Sequence, residues 1–193
     1  CTHAIGDKGN RETLDIFEEV FKKYDKNNLR WRIEHAQHLS ERDIPRFASL
    51  GVIASMQSIH CTSDAPFVEK RLGEYRARTG AYVWRSLIEN GTIICNGTDS
   101  PVEDIDPISN YYSAVTRKTN EGVSFYPDQN LDRTEALRTL TINGAYAAFE
   151  ENIKGSLEVG KLADITILSN NLLTIPENEI LNTKIVYTLV GGK

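Results

Sequence analysis

Among its 193 residues the sequence has one methionine, Met56, and three cysteines, with no long block of one charge and no long apolar run. Each shortage excludes something. The apolar stretches at residues 51–56 and 92–95 fall far below the roughly 20 residues needed to cross a bilayer, so no membrane partner is expected. Lys and Arg number 22 against 27 Asp and Glu, a net charge of −5. Without a basic run, the electrostatic footprint of a general nucleic-acid binder is missing. Cys1, Cys61 and Cys95 cannot form an even disulfide framework, and a chain this long needs none to build a core. A reducing, cytoplasmic setting is therefore expected. Cys95, inside an apolar run, reads as a small buried hydrophobe, and Cys61 as a packed thiol in preference to a ligand. No G-x-S-x-G, G-x-G-x-x-G or G-x-x-x-x-G-K-[ST] occurs, so serine-hydrolase, dinucleotide and P-loop readings lack their local signals. Because the chain opens on Cys1 and its one methionine is Met56, the first residue is not a translation start. Residues 1–7 read as the end of a strand with its loop, and a segment of a longer protein is expected.

What is present is ordinary globular material, 40% hydrophobic and 25% charged, enough to bury a core. Leu14, Phe17, Val20, Phe21 and Tyr24 recur at helical spacing within residues 10–26, predicting an amphipathic helix. Residues 29–35 alternate as a strand, and Ser40 to Asp43 read as a capping-box-like start for a short helix ending near Gly51. Residues 51–56 and 92–96 are nearly all apolar, as a parallel sheet buried on both faces requires. Between them a loop containing Pro66 and a helix over 79–90 are expected. Helices over 107–119 and 132–150 follow, the second opened by Asp132 and Glu135. This βα alternation predicts a mostly parallel sheet. Residues 163–168 and 184–190 then read as strands with no crossover helix between them, an antiparallel unit. The boundary is placed at 153, separating the parallel α/β part over 1–153 from a β unit over 154–193.

The polar residues that stand out lie where apolar strands end: His3, His35, Gln57 with His60, and Asp99 with Ser100. In α/β sheets and barrels the loops at the carboxyl ends converge on one face, where ligand and catalytic groups gather. His3, His35 and Asp99 form a chemically sensible set for zinc, which is held by imidazole and carboxylate and keeps a position open for water in catalytic sites. Each residue alone has a structural reading too, the histidines as hydrogen-bonded core residues and Asp99 before Ser100-Pro101 as a turn. His38 is expected in a loop past the strand, in a solvated or capping role.

Five segments, His3-Ala4-Ile5-Gly6-Asp7, Arg32-Ile33-Glu34-His35-Ala36-Gln37, Met56-Gln57-Ser58-Ile59-His60, Gly97-Thr98-Asp99-Ser100-Pro101-Val102 and Gly155-Ser156-Leu157-Glu158-Val159-Gly160-Lys161-Leu162-Ala163-Asp164, occur in this order. Together they resemble the C-terminal part of the amidohydrolase superfamily, its N-substituted formamide deformylase-like metal-dependent hydrolases above all. The resemblance implies the C-terminal half of a (β/α)8 TIM barrel plus strands of a small composite β-sandwich. It implies zinc or another divalent metal held by His3, His35 and Asp99, with Asp99 also the general base. It makes Gln57 and His60 candidates for substrate or oxyanion contact, with loop bracing as the alternative. The implied reaction is hydrolysis of a non-peptide C–N bond in a small amide, formamide or cyclic amide. The rivals are a heterocycle deaminase on the same barrel and a non-catalytic half-barrel that self-associates through exposed edges. The family's usual proline after the glutamine is Ser58 here, and its His-x-His and bridging ligand have no counterpart in these residues.

Overall fold

The computed structural model describes residues 1–24 and 28–193. Four short strands, β1 (Thr2–Ala4), β2 (Arg32–His35), β3 (Ile53–Met56) and β4 (Ile94–Asn96), form one sheet in the order β1-β2-β3-β4. Every pairing is parallel. The chain crosses from β1 to β2 through α1 (Asp7–Lys23) and from β2 to β3 through α2 (Ile44–Leu50). The crossover from β3 to β4 carries α3 (Ser58–Leu72), α4 (Glu74–Gly80) and α5 (Trp84–Glu89), and after β4 come α6 (Pro107–Thr116), α7 (Arg133–Leu140) and α8 (Ile142–Ala147). Two further strands, β5 (Ile165–Leu168) and β6 (Ile185–Leu189), pair antiparallel as a separate two-stranded sheet. The expected α/β class, parallel order and antiparallel tail are all seen.

Sheet and helices share one core. Ile33, Ala54, Met56 and Ile94 from the strands pack with Leu14, Phe47, Trp84, Leu87 and Tyr111 from the helices. Each large apolar side chain so buried contributes about 1.5–3 kcal/mol. Continuous apolarity in β3 follows, since helices cover the parallel sheet. Helix α1 buries only the first part of its expected stripe, Leu14 and Phe17, and Tyr24 is exposed. The expected end of that helix, at Lys26, lies outside the described residues. Cys61 and Cys95 are buried free thiols, and burial pushes the Cys61 thiol up to about 11. Leu172 and Ile180, on the stretch linking β5 to β6, are buried in the same core as the parallel strands.

Four local expectations are corrected. The Pro66 loop is instead helix α3, with Pro66 inside it. Residues 79–90 are two helices, broken at Tyr82, whose φ is 53°. Residues 132–150 are likewise broken at Thr141, although the Asp132–Glu135 capping box forms as expected. At α2 no capping bond forms. Asp43 instead accepts from Arg11 Nε at 2.9 Å and Arg46 Nη1 at 3.0 Å, bracing α1 against α2. A carboxylate buried beside two guanidinium groups is better satisfied by charge-assisted bonds than by a backbone N–H.

Candidate active site

The carboxyl ends of β1 to β4 lie side by side because the sheet is parallel and sequential, so the loops after them open on one edge. Two buried asparagines fix those loops. Asn10 Nδ2 donates to the carbonyls of Ala4, Ile5 and Gly6 at 3.2, 3.3 and 2.9 Å, and to His38 at 3.4 Å. It thereby ties the loop after β1 to the loop after β2. On the other side, Asn110 Oδ1 accepts from the Ile59 N–H at 2.9 Å while its Nδ2 donates to Gly97 O at 2.9 Å. Asn96 Oδ1 accepts from the Ser58 N–H at 2.9 Å. Loops after β3 and β4 are joined in this way.

Onto this frame the sequence places four of its candidates together. The ring of His3 meets that of His35 edge-on with centroids 4.5 Å apart, and the His35 and His60 centroids are 5.9 Å apart. His60 Nε2 lies 3.3 Å from Asp99 Oδ2. One donor atom from each of His35, His60 and Asp99 falls within 4.8 Å of the others. The tightest donor group is therefore His35, His60 and Asp99, with the ring of His3 edge-on against His35. His60 is not in a loop after β3 but on the first turn of α3. Gln57 is buried at the N-terminal end of that helix, where its Nε2 donates to Ser55 O at 3.3 Å. His35 and Asp99 both have left-handed backbones, with φ of 76° and 58°. Such strain in residues other than glycine persists only where the surroundings over-determine it, and it clusters at functional sites.

The charge balance suits a cation. Burial and the neighbouring His3 hold the His35 imidazole below its ordinary pKa, against the pull of Asp99. A neutral imidazole is the form that ligates a metal. His35 Nδ1 is buried and meets no hydrogen-bond partner among the described residues, and such a group costs free energy unless something pairs with it. Two imidazoles and a carboxylate are a donor set matched to zinc, so the residues present fit the metal that the resemblance implies.

Glu103 was not legible as part of the site. Its Oε1 lies 3.1 Å from His60 Nδ1 and accepts from Ser63 Oγ at 2.5 Å, so His60 stands between two carboxylates. No spacing rule links residues 60 and 103, and only the side-by-side placement of β3 and β4 brings them together. His38 also departs from expectation. It is partly buried, its ring packs edge-on to Tyr82 at 5.4 Å, and burial lowers its pKa.

A parallel βα sheet that gathers imidazoles and a carboxylate at its carboxyl edge is the architecture of the metal-dependent hydrolases. The amidohydrolase family profile matches residues 1–193, and the chain belongs to that family. Protein LONG AFTER FAR-RED 3 of Arabidopsis thaliana is 39% identical over 192 residues, which are 99% of this chain and 33% of that protein. The N-substituted formamide deformylase of Arthrobacter pascens is 26% identical over 190 residues, 98% of this chain and 35% of that one. A 5-methylthioadenosine/S-adenosylhomocysteine deaminase of Halalkalibacterium halodurans is 27% identical over 167 residues, 84% and 34% of the two chains. The crystal structure of a metal-dependent hydrolase from Pyrococcus horikoshii superposes with a TM-score of 0.78 at 32% identity, covering 91% of this chain and 35% of the other. The chain thus spans about one third of the length of the curated relatives it matches. No helix among the described residues is long and apolar enough to cross a membrane.

Proposed function

We propose that this chain supplies the carboxyl-edge ligands of a zinc-dependent hydrolase that cleaves the non-peptide C–N bond of a small amide, formamide or cyclic amide. The observation that carries the reading is the convergence of His35, His60 and Asp99, from three separate segments, to within 4.8 Å, with His3 against His35. His3, His35 and Asp99 would hold the metal. When bound, zinc lowers the pKa of a water to about 7 and polarises a carbonyl.

The chain's own residues do the rest. Asp99, exposed at the mouth of the site, takes a proton from the attacking water and delivers it to the leaving nitrogen, which must depart protonated. Gln57 at the start of α3 donates to the substrate's carbonyl oxygen as negative charge develops there, while His60, with its two ring nitrogens against Asp99 and Glu103, takes the bracing role. Residues 1–153 form the barrel part in this reading. Residues 154–193 add β5 and β6 to a composite β-sandwich, which accounts for the exposed apolar side chains Ile185, Val186 and Tyr187 on β6. The free thiols support a cytoplasmic setting.

Product analysis on the full-length protein with a panel of N-formyl amines, cyclic amides and amino-heterocycles tests the reading. Release of formate or a carboxylate is expected. Ammonia from the heterocycles alone would establish instead the deaminase reading that the deaminase relative favours, and turnover undiminished by chelation would overturn both.

A further inference from the structure

Tyr82 occupies the break between α4 and α5, fully buried and left-handed, and four polar links to other segments meet on it. Its N–H donates to the Gln37 carbonyl at 2.7 Å. Its carbonyl accepts from Arg117 Nη1 at 2.7 Å. The hydroxyl accepts from Gln37 Nε2 at 2.6 Å and donates to the Asp64 carboxylate. Gln37 is itself buried and stands two residues beyond His35. Beside these bonds the Leu39 N–H donates to the Gly80 carbonyl at 2.9 Å. A Cβ at Gly80 would lie 2.2 Å from Leu39 O, so the two segments touch backbone to backbone. A continuous seam therefore runs between the loop after β2 and the α4–α5 break.

Arg117 anchors the seam from behind. It is fully buried, donates from Nε to the Phe125 carbonyl at 2.6 Å, and lies over the Trp84 ring at 4.5 Å. A buried guanidinium held by carbonyls and a ring, with no carboxylate bonded to it among the described residues, is expensive to place. Its bond to the Tyr82 carbonyl fixes the very residue that clamps Gln37. On the far side of the clamp, His35 and Ala36 are held at φ of 76° and 46°, a strained backbone that the surroundings must hold in place.

We infer that the Arg117–Tyr82–Gln37–Asp64 seam holds His35 in its left-handed conformation and thereby sets the affinity of the site for zinc. This inference rests on the proposed role of His35 as a ligand. Tyr82, Gln37 and Asp64 act through His35 and are positioning residues. Outer partners of this kind typically change metal affinity 10- to 100-fold when removed.

The test uses the full-length protein with two substitutions. Tyr82→Phe removes both hydroxyl bonds and keeps the ring that packs on His38 and Trp84. Asp64→Asn keeps an acceptor for the hydroxyl. Zinc affinity is read by chelator competition, and backbone order by hydrogen exchange on peptides covering residues 35–38. Tyr82→Phe is expected to weaken zinc roughly tenfold and to speed exchange in residues 35–38 by a similar factor, with other peptides unchanged, while Asp64→Asn stays near wild type. Unchanged zinc affinity, unchanged exchange at 35–38, or acceleration spread evenly over the chain overturns the inference. A wild-type protein that holds no zinc refutes the ligand reading separately, and takes with it the seam's role in metal affinity.

Discussion

The parallel sheet and the β5–β6 hairpin are built from similar residues and treat them oppositely. Ile33 and Ile53 in the sheet are 0% and 2% exposed, whereas Ile167 and Ile185 in the hairpin are 44% and 47% exposed and Tyr187 reaches 64%. The difference lies in the connections. β2, β3 and β4 are each reached by a crossover that lays helices on the sheet, and these supply the covering layer. The hairpin strands are joined through residues 169–184, which hold only the short 3-10 turn Glu177–Asn182 and send Leu172 and Ile180 back to the core of the parallel sheet. β-branched composition makes a strand in both places, and topology alone decides whether it is buried.

The largest effect should come from the sheet. Ile33→Ala is expected to cost about 2–5 kcal/mol, because it opens a cavity where nothing can collapse, and denaturant unfolding measures it. The matched change in the hairpin, Ile167→Ala, is expected to stay within about 0.5 kcal/mol. Equal costs at the two positions would break the comparison. Next comes Gly80→Ala at the seam, where the new methyl meets Leu39 O at 2.2 Å. Displacement of that backbone is expected to cost about 1–3 kcal/mol, read as a lowered unfolding midpoint.

The smallest effect sharpens the comparison at the join between regions. Arg30 donates to both Glu151 oxygens, at 2.8 and 2.6 Å, and stacks on Tyr146 at 3.8 Å. Those bonds hold the Glu151 carboxyl down to about 2, from an ordinary 4.5. A lowered folded-state pKa gives stability that is complete above 4.5 and is lost as pH falls through 2. Thermal unfolding at a series of pH values should therefore show wild type losing stability between 4.5 and 2, with a shallower decline in Glu151→Gln. Parallel curves for the two proteins would show that the pair contributes nothing.

Much of the fold was legible because local and global signals agree there. The apolar runs at 53–56 and 94–96 match buried parallel strands, and Asp132 with Glu135 caps α7 as the pattern says. Helix α3 was hidden because Pro66 interrupts it and its buried face carries Ser58, His60, Cys61 and Thr62, which give no amphipathic stripe. The break at Tyr82 was hidden because its cause is tertiary: Gln37 and Arg117, 45 and 35 residues away, fix the backbone there. His3, His35 and Asp99 could be read at strand ends, since a parallel sheet collects those ends. Glu103 and the asparagines at 10, 96 and 110 could not, because their partners are set by which loops the sheet places side by side.

The central claim is that His35 and Asp99 hold a metal on which C–N hydrolysis depends. Zinc content of the purified full-length protein, measured beside formate or carboxylate release for wild type, His35→Asn and Asp99→Asn, tests it most directly. Stoichiometric zinc in wild type is expected, lost in His35→Asn, with turnover falling by roughly 10²–10⁴-fold in Asp99→Asn as the general base is removed. Full zinc and undiminished turnover in both variants would contradict the account.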